Sequence, residues 1–497
     1  MSTKQKTLDL FKGKKITVMG LGLLGGALND TIFLAENGAD LTVTDIKTAE
    51  QLKTSIDKLK KYKGIKYVLG GHQLEDFREA DMILQPGNVP LNSPYLAEAK
   101  KNKIPIFVSE SLFVKYVEGV KLIGITGTRG KSTTAQLVYE ILTLRQSQNK
   151  KIGKAFLAGN VKNVSTLALL NKVKLGDIVV LELDSWALHG LGDIKQSPHI
   201  AVFTNFMVDH QNFYGSTPLT TSKDGMELYF ADKANIFLNQ KPEDYLVVGA
   251  EVLKIIQKKY KKQLVKKISP ENIVERSGGV ITPDVGVVPK SWKVRLLGEH
   301  NRQNIAYAVT VARILDVPEK IIKKSVEDFK GVSGRLEFVK EVKGVRFYND
   351  TTATTPEACF EALKALTRSL KSGGGIVLIS GGTDKMLDFR QYGKEVPKMV
   401  KTLILFKGTA TDKILSQLKI KSDKLKIGEV VDMAQMGILK NVSLVIVDSM
   451  KMAMVWVQKF SVKNDVVLLS PGSASFGIFK NEFDRGDQFS NLVKKLK

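Results

Sequence analysis

Short apolar runs recur along the chain, and each stops at Gly, Asp, Asn or Ser: KITVMG, DLTVTD, DMILQPG and IPIFVSE fall in the first 110 residues. Stretches with helical spacing lie between them, so the pattern predicts a βαβ series built on a parallel sheet. A second series opens with KLIGITG at 121 and runs through KAFLAGN, DIVVLELDS, AVFTNF and DYLVVG. A third follows Gly331, as GVRFYND, GIVLISGG, TLILFKG, SLVIVDS and DVVLLSPG. These restarts predict three α/β domains, 1–117, 118–331 and 332–497, in keeping with about 100–200 residues per domain for a chain of 497. Two smaller features sit in the middle domain. The stretch GGVITPDVGVVPKSWKVRLLG predicts a small added hairpin. KIIQKKYKKQLVKK (254–267), with Val252, Ile256, Tyr260 and Leu264 at fourfold spacing, predicts an amphipathic surface helix.

Composition narrows the class. With 43% hydrophobic and 25% charged residues the chain is globular rather than disordered. Cys359 is the only cysteine, which excludes a disulfide framework or a cysteine-built metal site within one chain and suits a reducing compartment. No clean signal peptide opens the sequence, and no run reaches the ~18–20 apolar residues of a membrane span. The expectation is a cytoplasmic protein without membrane insertion. A net charge of +24 raises the question of nucleic acid. The excess is scattered lysine, with no zinc finger, RNA-binding aromatic signature or arginine cluster, so a solvated lysine face accounts for it and no nucleic-acid partner is expected. Attraction of polyanionic substrates follows from the same charge.

Candidate chemistry gathers at the ends of the apolar runs. GLGLLG (Gly20, Gly22, Gly25) follows the first strand, with Asp45 twenty residues past the last glycine. Glycines there let backbone approach a pyrophosphate while an acid meets a ribose, a layout that suits NAD or a nucleotide diphosphate sugar. GITGTRGKSTTAQL (124–137) is a strand, a glycine loop and a helix start, although Ile125 stands where the usual phosphate loop has its first glycine. Backbone N–H groups, Lys131 and Ser132 there suit a polyphosphate with Mg²⁺. Glu182 ends a buried strand, where a carboxylate is costly unless it meets a cation. Asn205, Asp209 and His210 end another and are candidate metal ligands. Lys233 reads as a lysine at the favourable end of a helix.

TGTRGKST, LELDSW, NFMVDH, YFADK, GEHNRQN, GRLEF, YNDTTATTPEA and LLSPGSASFGIFKNEFDRGDQF, in this order, resemble the Mur ligase family over nearly the whole chain. The resemblance implies an N-terminal Rossmann-like domain for a UDP-sugar, a central ATPase and a C-terminal Rossmann-like domain for an amino acid. It implies an ATP-dependent amide ligase that adds D-glutamate to UDP-N-acetylmuramoyl-L-alanine through an acyl phosphate, as a monomer. Family loops read T-G-T-N-G-K-[ST] and do not need the earlier glycine; here Arg129 replaces the asparagine. Carried over, Gly127, Thr128, Gly130, Lys131, Ser132 and Thr133 hold ATP, with Asn301, Asn304, Arg335 and Asp350. Ser132 and Glu182 hold one Mg²⁺, and His210 holds a second with Lys233, which the family carbamylates. Gly22, Leu23, Asp45, Ile46, Pro86, Gly87 and Asn160 fall to the UDP-sugar. Thr354, Lys385, Ser475 and Phe476 fall to the amino acid.

The chain departs from the family pattern at Leu24, at Asp184 and Ala187, at Thr352 where some relatives have lysine, at Gly477, and in the order of Glu482 and Phe483. These departures bear on the acceptor more than on ligase chemistry. Two rivals follow: a Mur-type ligase for L-glutamate or a diamino acid, and, from another class, a basic P-loop ATPase acting on nucleic acid.

Overall fold

The computed structural model describes residues 9–21, 26–87, 89–90, 92–149, 151–161, 164–209, 214, 222–260, 278–421, 425–434 and 442–497. The chain forms two compact units, 1–293 with 300–327 and 294–299 with 328–497.

The first unit holds two sheets. In one, β1 (Lys15–Met19), β2 (Asp40–Asp45), β3 (Lys66–Leu69), β4 (Met82–Leu84) and β5 (Ile106–Phe107) lie in the order β3-β2-β1-β4-β5, all parallel. In the other, β6 (Lys121–Thr126), β7 (Ala155–Gly159), β8 (Ile178–Glu182), β9 (Ile200–Phe203), β10 (Tyr245–Val248) and β11 (Gly279–Ile281) lie in the order β11-β10-β9-β6-β8-β7, again parallel. Strands such as β6, β8 and β9 are buried on both faces, which is why they read as unbroken apolar runs. The hairpin expected after Gly278 does not form. β11 instead adds in parallel to β10, and Pro283 with Asp284, whose carboxylate accepts from the Gly286 N–H at 2.6 Å, turns the chain into a 3-10 turn. A helix forms over Ala250–Lys259, with Val252 and Ile256 buried and Tyr260 as its C-cap; Leu264 lies outside the described residues.

One continuous apolar core runs from Phe11, Ile16 and Val43 of the first sheet through Leu112 and Phe113 to Leu122, Leu181 and Val248 of the second. Polar groups are buried along the same junction. Asp30, in helix Gly26–Glu36, accepts from Ser109 at 3.0 Å and Ser165 at 2.5 Å, and burial pushes its carboxyl up to about 6. Glu110, partly buried in helix Ser109–Tyr116, accepts from Thr166 at 3.3 Å, and Thr166 in turn accepts the Gly159 N–H at 2.9 Å.

The second unit has one mixed sheet. β12 (Glu337–Val342), β13 (Val345–Asn349), β14 (Ile376–Gly381), β15 (Thr402–Phe406), β16 (Val430–Asp432), β17 (Ser443–Val447) and β18 (Val466–Leu469) take the order β12-β13-β18-β14-β15-β17-β16. The edge strands β12 and β16 run antiparallel to their neighbours and the rest are parallel. Apolar clusters cover both faces, one around Leu363, Leu378 and Leu405 and the other around Phe347, Ile404 and Phe489.

Loss of water, with repulsion from Asp184 and Asp30, pushes the Glu110 carboxyl up to about 8. The folded chain therefore holds this proton more tightly than the unfolded chain, and the stability it contributes falls as pH rises from the ordinary carboxylate range towards 8. Glu110→Gln is expected to melt level with the wild type at pH 4 and several degrees above it at pH 8.5, because a carboxyl held this far above its ordinary value costs on the order of several kcal/mol there. Thermal melts at both pH values check this; a difference that does not change with pH would remove the carboxyl's ionisation as its cause.

Candidate active site

β6 ends at Thr126, and helix Lys131–Gln148 begins five residues later. Between them Gly127 (φ +145°) and Gly130 (φ +83°) supply backbone that other residues adopt only with strain. Space is as restrictive as conformation: a Cβ on Gly127 would stand 2.0 Å from Thr204 Oγ1, and one on Gly130 would stand 2.2 Å from Asn304 Oδ1. Ile125, at the place of the missing glycine, is a fully buried strand residue paired with Glu182 and Val202. Here the turn comes two residues after the point where the standard pattern begins it.

Asn205 clasps the loop. Its Oδ1 accepts the Arg129 N–H at 2.9 Å and its Nδ2 donates to the Arg129 carbonyl at 3.0 Å, while its own carbonyl accepts from the Thr128 N–H at 3.0 Å. Thr204 Oγ1 adds a bond to the Arg129 carbonyl at 2.7 Å. Sequence reasoning took Asn205 for a metal ligand; the structure makes it the loop's clamp, with both ends of its amide engaged. The signal was its place at the end of a strand next to the loop, which fits either role.

Lys131 reaches back along the loop, its Nζ donating to the carbonyls of Gly127 (3.0 Å) and Thr128 (3.2 Å). Ser132 Oγ donates to Glu182 Oε1 at 2.8 Å, so the hydroxyl and the strand-end carboxylate expected as one ion's ligands do meet. Thr133 is buried in the first turn. Asn304 and Asn301, in helix Glu299–Ile314, are buried and linked at 3.3 Å, with Asn304 against the loop at Gly130.

Lys233 corrects its own sequence reading. It lies in the last turn of helix Ser222–Ala234, as a dipole-favoured lysine would, yet it is 1% exposed rather than solvated. Its Nζ donates to Thr126 Oγ1 (3.2 Å) and to the Gly127 carbonyl (3.1 Å), and lies 4.9 Å from the centroid of the Tyr229 ring. Burial, then the charge of Lys131, pull it well below the ordinary lysine range, against a weaker pull from Asp184, Asp209 and Asp232. His210, its expected companion, lies outside the described residues. Asp184, one of the departures, has a structural explanation: its Oδ1 caps helix Ser185–Asp193 by accepting the Ala187 N–H at 2.8 Å.

The candidate sugar-nucleotide residues gather where β1, β2 and β4 end. Gly20 (φ +80°) donates its N–H to the Thr44 carbonyl and sits against Pro86. Asp45 is buried at the end of β2, Ile46 beside it is 70% exposed, and a Cβ on Gly87 would stand 2.8 Å from Cβ of Trp186. Gly22 and Leu23 lie outside the described residues, as does Leu24. Exposed Asn160 donates its N–H to the Glu182 carbonyl at 2.8 Å, which puts it beside the strand-end carboxylate residue that Ser132 meets. A cavity of about 460 Å³, lined by Lys121, Arg145, His199 and Asp316 among others, contains none of the candidate residues.

The second unit holds the remaining candidates. Asp350 is buried, its Oδ1 accepting the Leu336 N–H (3.0 Å) and its Oδ2 the Ser470 hydroxyl (2.8 Å); Arg335 is exposed nearby in sequence. Thr383 exchanges backbone bonds with Ala474 and its hydroxyl donates to the Phe476 carbonyl, which brings buried Ser475 and 58%-exposed Phe476 beside the 383–388 loop. Exposed Lys385 is in that loop, next to Asp384, which pairs with Lys413 at 2.5 Å. Thr354 is half-buried two residues beyond Thr352. Gly477, another departure, has φ +95° and so occupies a turn that favours glycine.

Three family models match in order: Mur ligase MurD-like, N-terminal domain over residues 14–108, Mur ligase middle domain over 125–312, and Mur ligase, glutamate ligase domain over 334–472. The UDP-N-acetylmuramoylalanine--D-glutamate ligase of Roseiflexus sp. is 34% identical over 507 residues, covering 97% of this chain and 99% of its own length. That of Borreliella afzelii is 34% identical over 497 residues, covering 98% and 99%. Among solved structures, UDP-N-acetylmuramate-alanine ligase MurC from Thermotoga maritima matches at a TM-score of 0.56 with 18% identity, covering 97% of this chain and 99% of its own. MurF ligase from the same organism, in complex with ADP, matches at 0.53 with 17% identity, covering 98% and 97%; these two likenesses are of fold. A phosphate loop clasped by Asn205, a hydroxyl and a carboxylate paired beside it, and relatives matched through all three sheets agree: this chain belongs to the Mur ligase family.

Proposed function

We propose that this chain joins D-glutamate to UDP-N-acetylmuramoyl-L-alanine with ATP as phosphoryl donor, in the making of peptidoglycan precursors. The observation that carries the reading is the anion cradle at the start of helix Lys131–Gln148 with Ser132 and Glu182 paired beside it. It occurs in a chain whose relatives in Roseiflexus and Borreliella bear the name of that ligase. We read the chain as a cytoplasmic monomer with domain divisions at 117/118 and 331/332.

The reaction has two steps. The terminal carboxylate of the L-alanyl substrate attacks the γ-phosphorus, the bond to the departing ADP breaks, and an acyl phosphate forms. The amine of glutamate then attacks the acyl carbon, loses a proton, and expels phosphate as the amide forms. In the first step an anion approaches a polyanion, so the protein must neutralise charge before it does anything else. Lys131 supplies a cation to the β- and γ-phosphates. The loop's N–H groups, held by Asn205, supply fixed dipoles at a helix start. Asn301, Asn304, Arg335 and Asp350 are assigned to the nucleotide, and Asp45, Ile46, Pro86, Gly87 and Asn160, with Gly22 and Leu23, to the sugar nucleotide. Thr354, Lys385, Ser475 and Phe476 are assigned to glutamate, Lys385 as partner of a carboxylate.

Ser132 and Glu182 are hard oxygen donors 2.8 Å apart, a pair that suits Mg²⁺, which takes few protein oxygens and completes its octahedron from water and phosphates. They would hold one ion, and His210 with a carbamylated Lys233 a second. When bound, these ions neutralise phosphate charge. Carbamylation turns a cation into an anionic ligand, and the amine adds CO₂ in its neutral form, losing a proton. Burial and the neighbouring charge of Lys131 both favour that form at Lys233.

Phosphate release is expected only when ATP, UDP-N-acetylmuramoyl-L-alanine and D-glutamate are all present. Activity with L-glutamate or a diamino acid alone would overturn the acceptor, and turnover stimulated only by single-stranded DNA would overturn the ligase. Lys131→Ala should lower kcat by at least ~10²-fold, the scale of one lost electrostatic donor, with its melting temperature unchanged. Loss of less than about threefold, well under that scale, would remove Lys131 from the phosphates. In the presence of ¹³C-bicarbonate the wild type should give a carbamate resonance that Lys233→Ala lacks; a wild type without one at saturating CO₂ would refute the modification.

A further inference from the structure

The segment that carries Arg335 has a strained backbone. Gly334 has φ +74°, and Leu336 has φ +48°, in the left-handed region where a Cβ crowds the following carbonyl. Such conformations persist where the surroundings over-determine them, and they gather at ligand clamps. Here the surroundings are specific. The Gly334 carbonyl accepts twice from one residue, from the Thr352 N–H at 3.1 Å and from Thr352 Oγ1 at 2.9 Å. The Leu336 N–H donates to Asp350 at 3.0 Å. The Gly334 N–H donates to Glu337 Oε2 at 2.8 Å, which also accepts from Ser333 Oγ at 3.0 Å. A Cβ on Gly334 would stand 2.9 Å from Thr351 Cγ2, so the strap lies directly on the 350–352 loop.

That loop is itself held from below. Arg485, fully buried, donates to Thr351 Oγ1 at 3.1 Å, to the Thr351 carbonyl at 2.8 Å and to the Ser473 carbonyl at 3.4 Å. Every group named belongs to the second compact unit. The backbone is thus pinned on both sides of Arg335, while Arg335 itself is exposed.

We propose that Thr352 is a positioning residue for the ligase reaction: by holding the Gly334 carbonyl with both its hydroxyl and its N–H, it sets where Arg335 presents its guanidinium to the nucleotide. This rests on the reading of Arg335 as a nucleotide contact. It also gives a role to a position where some relatives have lysine. A short β-branched side chain has few rotamers and little reach. At this position it sets geometry, and the cation is delivered by Arg335.

The test is a double-mutant cycle in the full-length chain, read as KM for ATP and kcat in phosphate release at saturating sugar-peptide and D-glutamate. Thr352→Val removes the hydroxyl and keeps shape and N–H; Thr352→Ala removes it independently; Thr352→Ser restores it. Both deletions are expected to raise KM for ATP about threefold to tenfold, the size of one neutral hydrogen bond, with Thr352→Ser near wild type. In an Arg335→Ala background the same deletions should change KM less than about twofold, because the group they position is gone. Melting temperatures report any general loss of folding separately. A deletion that leaves KM at the wild-type value, or one whose effect is undiminished in Arg335→Ala, overturns the positioning role and leaves the nucleotide reading standing. If Arg335→Ala alone leaves KM for ATP unchanged, the nucleotide reading of Arg335 falls and the proposal falls with it.

Discussion

The carbonyl oxygen of Gly127 accepts from two lysine amines, Lys131 at 3.0 Å and Lys233 at 3.1 Å. Two ammonium groups that close to one another repel strongly, and more so where one of them is shut away from water. Lys233 is the buried member, and burial together with the charge of Lys131 pulls it well below the ordinary lysine range. One carbonyl thereby holds two chemically identical side chains in different surroundings, Lys131 partly open to solvent and Lys233 shut away from it. Gly127 makes this possible, because the space a Cβ would need is filled by Thr204.

The missing glycine of the phosphate loop has the same origin. Ile125 is part of the sheet, so the loop is short and must get its shape from outside itself. Asn205 and Thr204, from the end of the neighbouring strand, do this through the Arg129 backbone. The side chain of Arg129 is not used in that clasp, which is why arginine can replace the family's asparagine there without disturbing the loop.

Much of the fold was legible because its strands are buried on both faces and announce themselves as apolar runs. What escaped was half-buried. β3 has Lys66 and Tyr67 exposed, and the edge strands β12 and β16 show solvent to one side, so neither carries an unbroken run. β11 was recognised as extended but given the wrong partner, since a three-residue strand has too little pattern to choose between hairpin and parallel edge. In the site, Lys131, Ser132 and Glu182 were legible from local spacing and from the expense of burying a carboxylate. Lys233 was not. Its burial depends on residues a hundred positions away, and a helix-end lysine looks the same whether it faces solvent or Thr126. Asn205 and Asp184 were visible as polar groups at strand ends, but whether such a group binds an ion, clamps a loop or caps a helix is decided by neighbours that spacing does not reveal.

Buried charge and buried carboxyls are generally worse for stability than apolar replacements, so where a protein keeps them is informative. Lys233 lies on the phosphate loop itself. Glu110 connects through Thr166 to Gly159, and so to Asn160 and the strand of Glu182. Arg485, lowered to about 10 by burial, holds Thr351, between Asp350 and Thr352. Each stands within two or three hydrogen bonds or residues of a group assigned to substrate. An apolar side chain could make none of these bonds, so it would hold neither the Gly127 carbonyl, the Thr166 hydroxyl nor the Thr351 carbonyl. For a reaction that must bring an anion against a polyanion, small errors in where the compensating charges stand are costly, and buried polar contacts with a single good geometry are the means of limiting those errors.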